Sequence, residues 1–203
     1  MVLGYHVIFG AYGFWLPNDP RGSWSEFVGS YELRQYGPAT KTTETRSLAS
    51  REHDGSRRLA AKQALIRPPV EFTGIQARAI ARGFEEYVST SGLAIWACAI
   101  LPDHVHLVTR RCDLPIETVV IQLKGEATKR LDAEEVHPFG HTSDARGRRP
   151  KCFARGEWKV FLDTPEDIRR SVAYVEGNPI KEGKKAQRWS FVTPYAPEAS
   201  PIV

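Results

Sequence analysis

The chain has 203 residues, of which 41% are hydrophobic and 26% are charged, and its formal net charge at pH 7 is +4. This length fits one domain with a core of its own, and the composition excludes a chain that is disordered throughout. The three cysteines show no CxxC spacing, which excludes a disulfide scaffold and favours a reducing compartment. The longest apolar run, Leu93 to Leu101, is far shorter than the roughly 20 residues that span a bilayer, so we expect no membrane segment.

The chain begins with a predicted strand and a long polar stretch. Tyr5 to Phe9 is a run of β-branched and aromatic residues, which is typical of a strand, and no basic segment of an export signal precedes it. The sequence that follows is polar and basic as far as Pro69, with a local helical pattern from Ser56 to Ile66. We interpret residues 13–70 as a basic insertion in a single domain that spans residues 1–203.

A helix and a pair of strands are predicted next. Thr73 and Gln76 have the spacing of a capping box, and Gly92 has the position of a C-terminal glycine, so a helix is expected between them. Residues 94–101 then predict a buried strand. After a short turn, residues 104–109 predict its partner strand.

The second half of the chain predicts a helix, a strand and a further helix. Apolar residues recur at helical spacing from about Pro115 to Leu131, and Trp158 to Leu162 favours a last strand. The last helix begins after Thr164, its N-cap, and should end near Glu176, because the residue before Pro179 disfavours helical backbone. The order β-α-β-β-α-β-α is typical of an α+β sandwich with helices packed on an antiparallel sheet.

Two histidines share one face of a predicted strand. His104 and His106 are two residues apart, so both imidazoles point to the same side, while the alternate positions Val105 and Leu107 are apolar. A pair of neutral imidazoles on one side is an arrangement that binds a divalent cation. The alternative is a pair of strand histidines without a ligand role.

The last helix carries a phenol and an amide at helical spacing. Tyr174 and Asn178 are neighbours on one helix face if the last turn continues through Gly177. A free phenol is protonated at neutral pH, so as a nucleophile it needs activation by a nearby cation or base. An amide oxygen four residues further along can complete the coordination of that cation. The alternative for Tyr174 is a core aromatic residue that packs the helix on the sheet.

Two motifs in this chain resemble those of a known enzyme family. Residues 101–108, Leu-Pro-Asp-His-Val-His-Leu-Val, resemble the Pro-(Asn/Asp/Glu)-His-x-His signature of the HUH single-strand nucleases. Residues 174–179, Tyr-Val-Glu-Gly-Asn-Pro, resemble the Tyr-x-x-x-Asn-Pro helix of the REP-associated tyrosine transposases, a branch of the insertion-sequence single-tyrosine transposases. The first strand is also similar, and the resemblance covers that strand and roughly residues 73–184. It implies the ferredoxin-like, RRM-like palm of the HUH nucleases.

The resemblance implies a metal-dependent strand transferase that acts on DNA. His104 and His106 would bind Mg²⁺ or Mn²⁺, and Asn178 would be the third ligand, where insertion-sequence relatives have Gln. Tyr174 would attack a phosphodiester of single-stranded DNA, which leaves a 5′-phosphotyrosine and a free 3′-hydroxyl, and another 3′-hydroxyl would rejoin the strands. The implied partner is single-stranded or repeat-associated hairpin DNA. The implied state is a monomer or homodimer in the bacterial cytosol, bound to the nucleoid when on DNA.

The basic residues of the second predicted long helix and of the loop after it are candidates for contact with a DNA backbone. Each one is alternatively a solvated surface charge. The candidates are Lys124, Lys129, Arg130, Arg148 and Arg149.

Four further histidines are present. His6 is on the first strand, which is expected to lie beside the histidine pair, and it is either a neighbour of the site or, as we expect, a structural strand histidine. The others, in polar segments, are expected at the surface. These are His53, His137 and His141.

Two other functions stay open. One is a non-catalytic module that binds single-stranded nucleic acid and keeps the fold. The other is a metal-dependent phosphodiesterase whose nucleophile is water. Only the transferase needs the hydroxyl of Tyr174.

Overall fold

The computed structural model describes residues 1–17, 31–37 and 54–196 of the chain. These contain one 3₁₀ helix, Tyr31–Tyr36, and the α-helices α1 (Gly55–Gln63), α2 (Gly74–Ser91), α3 (Ile116–Ala133) and α4 (Pro165–Lys181). The strands are β1 (Gly4–Gly10), β2 (Ile95–Ile100), β3 (His104–Arg110) and β4 (Trp158–Leu162). None of the helices in these ranges combines the length and the hydropathy of a membrane span.

The four strands form one antiparallel sheet in the order β2-β3-β1-β4. β1 lies between β3 and β4, so that Gly4 is opposite Arg110 on one side and Leu162 on the other. With α2 after β1, α3 after β3 and α4 after β4, the predicted order β-α-β-β-α-β-α is confirmed. The predicted α+β fold with a ferredoxin-like sandwich is therefore confirmed as well.

The alternation of side chains along the strands gives the sheet two different faces. Val7 and Leu107 point to one face, where α2 and α3 cover them and form the main core. The other face carries His6, His104 and His106, and we call it the histidine face. Helix α4 packs on this second face.

The predicted helix starts are confirmed in atomic detail. The hydroxyl of Thr73 accepts from the backbone N–H of Gln76, and the side chain of Gln76 accepts from the backbone N–H of Thr73. Gly92 ends α2 with a φ of 68°, in the left-handed region that glycine adopts without steric cost. Thr164 and Asp167 form the same capping box at the start of α4.

Helix α4 is longer than the sequence predicts. The expected end near Glu176 is wrong, because the helix continues to Lys181 with Pro179 inside it. Proline lacks an N–H and so removes one helical hydrogen bond, but here the loss falls in the last turn, and Pro179 and Asn178 are both buried. The continuous helix places Tyr174 and Asn178 on one face.

The segment after α4 returns along the outer edge of β2. The amide of Gln187 donates to the carbonyl of Ile100 at 2.7 Å and accepts from its N–H at 2.8 Å. Further on, the N–H of Thr193 donates to the carbonyl of Ile95 at 2.9 Å. This segment therefore hydrogen-bonds both ends of the strand.

The two ends of the polar stretch lie close together, just after the end of β1. The N–H of Val70 donates to the carbonyl of Tyr12 at 2.8 Å, so the chain leaves and re-enters at nearly the same place. Part of this stretch, residues 18–30 and 38–53, lies outside the described residues, and His53 is among them. That residues 13–70 form an insertion stays a prediction.

The close crossing of α2 and α3 gives a test of the core. A Cβ on Gly83 would lie 2.6 Å from the Cα of Ala127. Gly83→Ala should therefore lower the free energy of unfolding by about 1–3 kcal/mol, because the clash with backbone outweighs the better helix propensity of alanine. Urea denaturation measures the change.

Gly125→Ala is the matched control, since Gly125 is exposed on α3 and an added Cβ there meets nothing within 4 Å. This variant should gain up to about 1 kcal/mol from helix propensity. Equal stability of the two variants would contradict the close crossing.

Candidate functional site

Small side chains on the sheet allow α4 to lie close to the histidine face. Ala97 and Ala99 of β2 are buried together with Val108 of β3 and Val175 of α4. Val175 is fully buried, so its contacts fix the rotation of the helix about its own axis. Tyr174, the preceding residue, is thereby directed along the sheet and not away from it.

Tyr174 lies beside two histidines. Its ring centroid is 5.7 Å from that of His6 and 5.7 Å from that of His106. The side chain is 43% exposed, which does not fit a core aromatic residue and leaves part of the ring open to solvent. The ammonium of Lys181 lies 4.9 Å from the centre of the phenol ring. The structure thus brings the predicted phenol and histidines together.

The two predicted ligand histidines converge through their Nε2 atoms. His104 Nε2 and His106 Nε2 are 2.9 Å apart, while His104 Nδ1 is 2.6 Å from a carboxylate oxygen of Asp103. Two ligand atoms at right angles around one cation, each bound at about 2.1 Å, are about 3.0 Å apart. The histidine pair therefore fits two neighbouring positions in the coordination sphere of one cation.

The two imidazoles would supply only part of such a coordination sphere. Within the described ranges, no group of three or more His, Cys, Asp or Glu side chains is arranged for a metal ion. An ion such as Mg²⁺ keeps several water or phosphate oxygens as ligands. The remaining positions around such an ion would be left to ligands other than these two imidazoles.

Asn178 contributes a buried amide one helical turn beyond Tyr174. The residue is 8% exposed, and among the described residues its Nδ2 has no hydrogen-bond partner. Buried polar groups in folded proteins are nearly always paired, so this amide is a candidate to orient or bind a ligand. That Asn178 is the third metal ligand stays a prediction.

An aromatic side chain packs against the imidazole of His104. The ring of Phe14 stacks on that of His104, with centroids 4.8 Å apart and planes at 25°. Gly10 lies opposite His104 in the sheet, and a Cβ there would approach Phe14 to 2.5 Å. The glycine thus leaves the space that the ring needs to reach the histidine.

His6 belongs to the site, which differs from the expected structural role. Its Nε2 is 3.1 Å from the Nδ1 of His106, and both side chains are buried. Burial lowers the pKa of His6 to about 4 and holds the pKa of His106 well below the usual range, so both rings are neutral at pH 7. Strand alternation alone shows which face His6 occupies. The pairing of His6 with Val108, which brings it near His106, is a long-range register that the local sequence does not show.

Lys124 does not present its charge to the surface as a DNA contact would. Its ammonium donates to the carbonyls of Ala154 and Gly156 at 3.0 and 2.7 Å and lies 5.0 Å from the centre of the Phe9 ring. Burial lowers its pKa to about 8. Lys124 therefore holds the loop before β4.

The other four predicted DNA contacts are all paired with acidic side chains. They belong to α3, which covers the face opposite the histidines, and to the loop after it. That they contact DNA stays a prediction. The pairs are Lys129 with Glu126, Arg130 with Glu86, Arg148 with Asp144, and Arg149 with Asp132.

The expected surface position of His137 is wrong. This side chain is 4% exposed, and its Nδ1 accepts from the backbone N–H of Phe139. The turn after α3 folds against α2, where Gln76 donates to the carbonyl of Val136 at 2.9 Å. His141 is exposed, as expected.

The fold and site together define a ferredoxin-like α+β protein in which a phenol faces a histidine pair. No protein-family model and no curated protein matches the chain. Solved structures that match include a REP-associated tyrosine transposase bound to a REP hairpin (TM-score 0.47, 11% identity, covering 89% of this chain and 68% of that one). A candidate transposase from Deinococcus radiodurans R1 also matches (TM-score 0.36, 15% identity, 92% and 94% covered). With identities this low and TM-scores below one half, these likenesses decide nothing about activity or substrate.

Because His6 is buried in its neutral form, we expect the folded protein to be less stable in acid. The pKa of about 4 in the folded protein lies below the ordinary value of 6.5, so the unfolded chain binds a proton at a higher pH than the folded protein does. The free energy of unfolding should therefore fall as the pH is lowered from 6.5 to 4, by on the order of 3 kcal/mol from His6. Urea denaturation at several pH values measures the slope, which should be shallower in His6→Gln. Parallel profiles of the two proteins would contradict this assignment.

Proposed function

We propose that the protein is a metal-dependent strand transferase that cleaves and rejoins single-stranded or hairpin DNA, with Tyr174 as its nucleophile. The observation that carries the proposal is the position of a half-exposed phenol beside His106, whose Nε2 is 2.9 Å from that of His104. The motifs at residues 101–108 and 174–179, which resemble those of the HUH nucleases and the REP-associated tyrosine transposases, support the same chemistry.

His104, His106 and the amide of Asn178 are the residues that would hold a divalent cation. Mg²⁺ prefers oxygen ligands and imidazole suits transition metals, so both Mg²⁺ and Mn²⁺ are candidates. When bound, such an ion would polarise a phosphate oxygen and offset the negative charge that builds up in the transition state. Asp103 holds His104 through its Nδ1, which keeps the Nε2 directed at His106.

Tyr174 would do the covalent chemistry. In the proposed reaction, its Oη forms a bond to phosphorus while the bond from phosphorus to the 3′-oxygen breaks. The phenol loses its proton and the leaving 3′-oxygen gains one, so the products are a 5′-phosphotyrosine and a 3′-hydroxyl. Because the new linkage is again a phosphodiester, a second 3′-hydroxyl can reverse the step and join strands without an energy cofactor.

Lys181 and the exposure of Tyr174 support this role. The ammonium of Lys181, 4.9 Å from the centre of the phenol ring, places a positive charge beside the group that would meet a DNA phosphate. The exposed side of the ring is open to solvent, so a DNA strand can approach it from outside the sheet. A water nucleophile would not require a phenol in this position.

A covalent adduct is the direct test of the nucleophile. Incubation of the protein with Mn²⁺ and a pool of single-stranded hairpin oligonucleotides should give a DNA–protein species that survives a denaturing gel. Tyr174→Phe should abolish this species because the attacking oxygen is gone, and His104→Ala should abolish it because the cation site is broken. Tyr5→Phe is the matched control, since Tyr5 packs against Phe161 on the opposite face of the sheet.

Two results would contradict the tyrosine mechanism. Cleavage that persists in Tyr174→Phe without any adduct would indicate a phosphodiesterase that uses water. Binding of the oligonucleotides without cleavage or adduct, in the wild-type protein with Mn²⁺, would indicate a binding module.

The carboxylate of Asp103, which contacts His104, should affect how much divalent cation the protein needs to form the adduct. Treatment with EDTA should abolish the adduct, and added Mn²⁺ should restore it. Asp103→Ala should raise the Mn²⁺ concentration needed for half-maximal adduct formation by about 10–100-fold, because an outer partner orients the ligand imidazole. Asp113→Ala, at an exposed position outside the site, is the control. An unchanged Mn²⁺ requirement in Asp103→Ala would show that this carboxylate does not support the ligand.

A further inference from the structure

Three short distances join four side chains in a row. His6 Nε2 is 3.1 Å from His106 Nδ1, His106 Nε2 is 2.9 Å from His104 Nε2, and His104 Nδ1 is 2.6 Å from Asp103 Oδ1. The row begins at the buried His6 and ends at the partly exposed carboxylate of Asp103. His106 and His104 each use both ring nitrogens, so the position of a proton on one ring constrains the next.

Without a cation, one set of proton positions satisfies the whole row. A neutral imidazole has one N–H and one lone pair. The carboxylate of Asp103 accepts, so His104 donates from Nδ1 and its Nε2 is an acceptor. His106 then donates from Nε2 and accepts at Nδ1, where the Nε2–H of His6 is the donor. Every link of the row is a normal hydrogen bond in this state.

A cation held by both His104 and His106 requires a different set of proton positions on the imidazole rings. His104 already presents a lone pair at Nε2, but His106 has its proton there and must carry it on Nδ1 instead. The new Nδ1–H of His106 needs an acceptor, because an unpaired buried donor is costly. Only the Nε2 of His6 lies opposite it in the row, so His6 must carry its own proton on Nδ1. The link between His6 and His106 keeps its two atoms and reverses its direction.

We propose that His6 is a positioning residue, and that cation binding moves the ring protons of His106 and His6 from Nε2 to Nδ1. The proton on His6 Nε2 crosses to His106 Nδ1, the proton on His106 Nε2 leaves to water, and His6 Nδ1 takes one proton from water. The number of bound protons is therefore unchanged. This inference rests on the proposed cation site and adds the residue that selects the binding tautomer.

The tautomers can be observed directly in the full chain. Long-range ¹H–¹⁵N correlation spectra of protein with ¹⁵N-labelled histidine show which ring nitrogen carries the proton. In protein treated with EDTA, we expect Nε2–H on His6 and His106 and Nδ1–H on His104. Zn²⁺ is the diamagnetic probe, because it binds imidazole. Its addition should convert His6 and His106 to Nδ1–H and leave the Nδ1–H of His104 in place.

Affinity for Zn²⁺ gives a second readout that does not depend on DNA cleavage. His6→Phe removes the acceptor and should weaken binding by about 10–100-fold in isothermal titration calorimetry. His6→Gln should restore most of the affinity, because its amide can donate or accept near the position of the imidazole Nε2. His137→Phe is the matched control, since it removes a buried histidine that lies outside the row.

The results of these experiments distinguish the positioning role of His6 from the presence of the cation site itself. Zn²⁺ binding that leaves the proton of His6 on Nε2, or a His6→Phe protein with wild-type affinity, would overturn the inference while the cation site stands. A His104→Ala protein that binds Zn²⁺ as the wild type does would overturn the cation site itself. Nδ1–H on His106 before Zn²⁺ is added would overturn the proposed shift.

Discussion

The packing of α4 on the histidine face is the contact on which the rest of the site depends. Ala97 and Ala99 are small enough for the helix backbone to lie close to the sheet, and Val175 fills the space above them. Burial of a valine is worth about 1.5–3 kcal/mol, so a rotation that exposes Val175 is unfavourable. The same contact that stabilises the sandwich therefore keeps Tyr174 beside His106.

Helix α4 brings Tyr174 to the site, and the strands hold His104 and His106 in fixed positions. His104 and His106 are on a strand that is paired on both sides, and each imidazole has a second contact through Nδ1, to Asp103 or to His6. Such outer contacts limit the orientations that a ring can adopt. Phe14 adds a stacked ring on the side of His104. The site is thus largely formed before any ligand arrives.

Local patterns predicted most of this architecture, and contacts between distant segments account for the rest. Capping residues and apolar periodicity predicted the helices and strands, since these signals act within a few residues. Spacing placed His104 and His106 on one strand face and Tyr174 on one helix face, and the resemblance of two motifs to a known family favoured their functional roles. The role of His6 depends on the register between β1 and β3, which pairs residues about a hundred positions apart. Lys124 lies off the apolar stripe of α3, but the carbonyls that it binds come from a loop some thirty residues later. The rule against helix before Pro179 failed because tertiary burial outweighed one lost hydrogen bond.

The return of the chain along β2 affects whether a strand of another molecule can pair with this edge of the sheet. The N–H and carbonyl of Ile100 are both occupied by the amide of Gln187. These are backbone groups that an incoming strand would use to lengthen the sheet. A second molecule that tried to extend the sheet at this border would first have to displace Gln187, so the tail beyond α4 protects the border from intermolecular β-pairing.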